Sequence, residues 1–140
     1  MPTLIEVALG EWGESVRAGA ASNPRVMEYL KTVGLASSDD ISWCAAFVNW
    51  CTIKAGINSR PARAASARSW LEVGAPVTVA ATGDLVIFWR ESSHSWKGHV
   101  GIFIRPAPQD GVYVLGGNQG GRVGIAAYPA RQVLGYRRLA

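Results

Sequence analysis

Residues 42–56 read SWCAAFVNWCTIKAG. Apolar side chains occupy this stretch nearly all round, it runs for more than ten residues, and Gly56 closes it. That pattern predicts a buried central helix, because a surface helix would keep one polar face. Upstream, Thr3 and Glu6 have capping-box spacing, and Leu4, Ala8, Trp12 and Val16 recur at helical period. Asn23-Pro24 is a cap followed by proline at the first helical position; Val26, Leu30 and Val33 continue the stripe, and Gly34 is the stop. The polar run 36–40, ASSDD, precedes the central helix, and its two acids read as a helix-entry cap or solvated turn. Downstream, a shorter fourth helix is expected over 61–71.

Beyond Gly74 the period changes. Residues 84–89, 99–104, 112–115, 123–128 and 133–136 are short β-prone runs separated by loops of Gly, Pro, Asp or Ser, spaced as in an antiparallel meander. Helices first and strands afterwards predict an α+β fold: N-terminal helices packed on a five- to six-stranded antiparallel sheet. With 140 residues, 49% hydrophobic and 17% charged, one domain over 1–140 is expected, and disorder is excluded. No linker or repeat interrupts it.

No apolar run reaches the roughly 18–20 residues a membrane span needs. The opening MPTLIEVALGEWGES lacks a basic n-region and carries acids early, so no secretory leader is expected. The net charge of +4 suits an anionic polymer, but Lys and Arg are scattered singly, which argues against a nucleic-acid surface.

Reactive groups are few: Cys44, Cys51, His94 and His99. Cys44 falls in the first turn of the central helix, where unpaired N–H groups and the helix dipole favour an anion and can lower a thiol pKa. Cys51 lies about 10 Å further along the same helix, too far for a disulfide, and reads as core. His99 opens an alternating strand and is the stronger general base, whereas His94 sits in a polar loop. A third polar group is needed to aim the imidazole, and VLGGNQ (114–119) offers Asn118 and Gln119, although the same residues would suit a hairpin turn. The spacings Cys-x6-Cys and His-x4-His match no common zinc pattern, so neither metal nor cofactor is expected. Among six tryptophans, Trp43 and Trp50 lie on the buried helix and Trp96 in a polar loop near His99, which gives Trp96 the better claim to a cleft.

A cysteine opening a buried helix, then a histidine opening a strand, then a polar residue on the next strand resembles the papain-like cell-wall hydrolases of CHAP and NlpC type. The segments PRVMEY (24–29), SWCAAFVNW (42–50), ARSW (67–70), GDLVIFWR (83–90), GHVGIFI (98–104), VLGGNQ (114–119) and LGYRR (134–138) are similar to a phage- and bacterial-effector subgroup. The resemblance implies Cys44 as nucleophile, His99 as base and Asn118 as third member, with Gln119 the second choice. It implies Trp96, Trp43 and Gln119 as substrate contacts, and Asp84 as a structural feature. Ala45 departs from the serine of many relatives, and Ser42 from the proline of the close subgroup.

The implied reaction is hydrolysis of a peptidoglycan amide, in the stem peptide or between sugar and peptide, through a thioester. The implied agent is a monomer acting on the wall in the periplasm or outside the cell, as a phage lysin or as a secreted effector with a cognate immunity protein. Two alternatives stand beside it: a non-catalytic wall-binding module, and a papain-like toxin that deamidates or transacylates another amide.

Overall fold

Every residue from Cys44 to Thr52 is buried in helix α3 (Cys44–Lys54), so its lack of a polar face has a direct cause. The computed structural model describes residues 2–16, 22–35 and 42–139. The expected cap at 36–40 lies outside the described residues. Helices α1 (Leu4–Leu9) and α2 (Pro24–Lys31) pack against α3. Thr3 and Glu6 form the full capping box, and the Asn23 side chain accepts the N–H groups of Arg25 and Val26. Tyr29 of α2 is the hub of this layer. Its ring lies 5.8 Å from Trp43, 5.1 Å from Phe47 and 5.2 Å from Trp50, and its hydroxyl donates to Glu11 at 2.7 Å.

Strands β1 (Ala75–Val77), β2 (Leu85–Trp89), β3 (Gly98–Ala107), β4 (Gly111–Gln119), β5 (Arg122–Pro129) and β6 (Val133–Arg138) form one antiparallel sheet in the order β1-β6-β2-β3-β4-β5. The fold is α+β, with all six strands in one antiparallel sheet. One face, with Leu85, Ile87, Val100, Ile102 and Leu115, closes on the helices. The other carries Val86, Phe88, Phe103, Val112 and Val114 under Tyr128 and Tyr136. Helix and sheet approach closely at Gly117, where an added Cβ would stand 2.7 Å from Phe47 Cβ and 2.9 Å from the Trp43 ring.

Three expectations need correction. The first helix stops at Gly10, because Gly13 N–H and Val16 N–H are drawn to the carbonyls of Val123 and Gly121; Trp12 and Val16 are consequently exposed. The fourth helix shrinks to a 3-10 segment, Ala67–Glu72. Ser69 Oγ donates to the carbonyls of Arg63 and Ser66 and the Trp70 indole to that of Ala64, so side chains take acceptors that a longer helix would need. Finally, only β2 to β5 form a meander: β6 returns to pair with β2, and the unanticipated β1 lies outside β6.

Asp84 is the latch of this return. Its buried carboxylate takes Arg138 Nε and Nη2, both at 2.8 Å, and the Ala81 N–H at 2.8 Å. It thereby ties the start of β2 to the end of the last strand.

Candidate active site

Trp43 precedes α3 without supplying any side-chain cap, so the first-turn N–H groups around Cys44 have no capping oxygen. Cys44 itself is buried, and hydrogen bonding from the His99 ring, the Val100 backbone and the Ser42 side chain favours its charged form. Burial alone would push the thiol up. The positive charge on His99 and these hydrogen bonds outweigh it and bring Cys44 down to about 7. Reciprocally, burial opposes the charged form of His99, but the Cys44 charge, its hydrogen bond and Gln119 outweigh burial and raise the imidazole above its ordinary value. The two groups titrate as a pair.

His99 stands opposite Phe88 in the β2–β3 ladder. Gly98 before it is required sterically, since a Cβ there would fall 2.7 Å from the Phe88 carbonyl oxygen. Gln119 Oε1 lies 3.0 Å from His99 Nε2. The Gln119 amide nitrogen donates to the carbonyls of Val114 (3.0 Å) and Gly124 (2.8 Å), which fixes the amide's orientation. Nε2 must therefore carry a hydrogen, and Nδ1 is the ring nitrogen left for the thiol.

The residue on the ring is thus Gln119, where Asn118 was expected. The cause is local. Asn118 adopts φ 58°, and pairing slips between Gly116 and Gln119, where β4 uses three steps against two in β5. This bulge inserts one residue and returns Gln119 to the His99 face. Asn118 instead borders a cavity of about 200 Å3 behind His99, together with Arg90, Tyr128 and Gln132.

On the thiol side a cleft of about 440 Å3 is lined by Ser42, Cys44, Arg63, Ser66 and Trp96. Trp96 is 79% exposed at its rim. Its loop is held by Arg68, whose guanidinium donates to the carbonyls of Lys97, Ser93 and Ser92 at 2.7–2.9 Å. Trp43, expected at the cleft, is fully buried against Tyr29 and has no surface to offer a substrate. His94 is exposed in the loop, and Cys51 is buried with its thiol pushed well up by desolvation. Among the described residues no group of three or more His, Cys, Asp or Glu is arranged to hold a metal ion, and no helix is long and apolar enough to cross a membrane.

Three further residues surround the pair without standing out in the sequence: Ser42 beside the thiol, Arg68 under the Trp96 loop, and Tyr128 on the His99 ring. Periodicity carries no signal for Arg68 or Tyr128, whose partners are distant in the chain, nor for Ser42, which stands ahead of the helix and meets Cys44 through its side chain.

Compared with known families, residues 36–118 match the model of the CHAP domain. No curated protein matches the chain.

Proposed function

The chain belongs to the CHAP-domain family, whose members are generally hydrolases acting on cell-wall amide bonds, and from that premise we propose that it cleaves a peptidoglycan amide with Cys44 as nucleophile. What supports this reading is Cys44 and His99 acting on each other's charge, with Gln119 on the ring and a cleft on the thiol side. A binding module needs no thiol held near neutrality against an imidazole.

Cys44 Sγ attacks the scissile carbonyl carbon while the oxyanion meets the backbone N–H groups at the start of α3. His99 Nδ1–H then protonates the departing amine, leaving a thioester. A water gives its proton to Nδ1 as it attacks, and the carboxylic acid product departs with the thiol restored. Gln119 keeps Nε2–H engaged throughout, so Nδ1 stays aimed at sulfur. Trp96 offers a ring to the glycan or peptide at the rim.

The substrate is a stem-peptide bond or the lactyl amide between sugar and peptide, met in the periplasm or outside the cell. The chain acts as one catalytic domain and as a monomer. A holin gene beside its own would mark a phage lysin; a small exported inhibitor would mark an injected effector.

Digestion of purified sacculi followed by mass spectrometry tests the reading. Fragments with a new amine and a new carboxylate are expected, and Cys44→Ala should abolish them. Intact sacculi, with Cys44 still rapidly alkylated, would move the enzyme to another amide and overturn the wall assignment.

A further inference from the structure

We propose that Tyr128 is a positioning residue for this reaction, its ring face and hydroxyl oxygen holding the His99 imidazole and favouring its protonated form. The inference rests on the reading of Cys44 and His99 as the reacting pair.

The Tyr128 ring stacks on His99 with centroids 5.0 Å apart and planes 26° from parallel. Phe88 backs both rings, 4.9 Å from Tyr128 and 6.3 Å from His99. The Tyr128 hydroxyl oxygen lies 3.2 Å from His99 Nε2. Because Gln119 fixes a hydrogen on Nε2, the phenol finds no lone pair on that nitrogen to donate to, and what it turns to the ring's N–H edge is its oxygen. The phenol's own hydrogen is then free for the cavity behind the ring. Burial, with the Cys44 charge, pushes the phenol up to about 12, so it stays neutral across the working range.

The groups facing His99 make this contact consequential. From α3 comes Cys44; from the end of β2, Phe88 and the Arg90 charge, which opposes imidazolium; from β4, neutral Gln119; from β5, Tyr128. Among the described residues no carboxylate is one of them. The work a carboxylate would do on the far nitrogen falls to two neutral oxygens and a π face. Aromatic faces attract cations, and hydrogen bonds to ionised groups are the stronger ones. Packing alone would be met by phenylalanine; the hydroxyl on Nε2 is what exceeds packing.

The test is the pH profile of Cys44 alkylation by iodoacetamide in the intact protein, compared with Tyr128→Phe and Tyr128→Leu. Tyr128→Phe should move the alkylation midpoint upward, slowing reaction at about pH 6 by about three- to tenfold while leaving the alkaline plateau unchanged. Tyr128→Leu should move it further, and on sacculi both should lower kcat with KM unchanged. A Tyr128→Phe profile that overlays the parent's would overturn the proposal, whatever Tyr128→Leu does to folding. Alkylation needs no wall, so a shifted midpoint alongside inert sacculi would remove the substrate assignment and leave this role standing.

Discussion

Gln119 Oε1 accepts from His99 Nε2 at 3.0 Å because both hydrogens of its amide are held by the carbonyls of Val114 and Gly124. Flipping the amide would break two hydrogen bonds and set its oxygen against two carbonyl oxygens, so Nε2 faces an acceptor and one tautomer of His99 is enforced. Gln119→Ala should therefore free the ring and lower kcat on the order of a hundredfold. Asn118→Ala, which keeps the Gln119 contact, should change kcat by less than about threefold, its effect being backbone strain at a positive φ. Steady-state rates on sacculi check both, and a reversed order would restore Asn118 as the third member.

Thiol reactivity should titrate early. With Cys44 at about 7, alkylation should rise through neutrality, well below the ordinary thiol range. His99→Ala removes the charge and the hydrogen bond that lower the thiol while the burial that raises it remains. The midpoint in that variant should consequently climb past the ordinary value of 9.0. The measurement is the alkylation rate against pH, with Cys51→Ala as background to remove the second thiol.

How far this site is legible in the chain depends on which residue carries it. Cys44 and His99 each sit where a strong local pattern begins, a helix apolar nearly all round and a β-prone run whose first residues, His99 to Phe103, are all buried, so composition suffices to single them out. Gln119 does not. Counting by two from Val112 through Val114 and Gly116 lands on Asn118, and only the left-handed turn at Asn118 itself breaks the count. Asparagine tolerates that conformation, but nothing nearby announces that it is used here. Strand β1 was hidden for another reason: three residues around Pro76 form no period, and only pairing with Tyr136, Arg137 and Arg138 makes them a strand. The 3-10 segment at Ala67–Glu72 likewise depends on side chains reaching back to carbonyls, which propensity ignores.

The Asp84–Arg138 pair should matter to stability and leave the chemistry alone. Asp84 is almost wholly buried and Arg138 half exposed, so removing the guanidinium strands a buried carboxylate. Arg138→Ala should lower the urea unfolding midpoint, because the buried carboxylate loses its charged partner. The hydrogen bond from Arg138 holds the Asp84 carboxyl below its ordinary value, with burial opposing and the Ala81 N–H assisting. A carboxyl depressed in the folded state contributes its full stability above the unfolded-state value and loses it as pH falls through the folded one. The parent's unfolding midpoint should therefore drop below about pH 4, and Arg138→Ala should flatten that dependence.

Trp96 offers the sharpest separation between binding and chemistry. Its ring is 79% exposed, and Lys97 Nζ lies 5.7 Å from its centroid, so little of the core depends on it. The loop beneath is held by Arg68 through the carbonyls of Ser92, Ser93 and Lys97, contacts that do not involve the indole. Trp96→Ala should leave the unfolding midpoint within about 0.5 kcal/mol of the parent, as for a surface change. If the ring grips substrate at the rim of the Cys44 cleft, KM on sacculi should rise about three- to thirtyfold with kcat little changed, the signature of binding lost equally from ground and transition states. Arg68→Ala should raise KM in the same direction by releasing the loop. An unchanged KM in Trp96→Ala would assign wall recognition to other residues lining the cleft, Arg63 and Ser66 first among them.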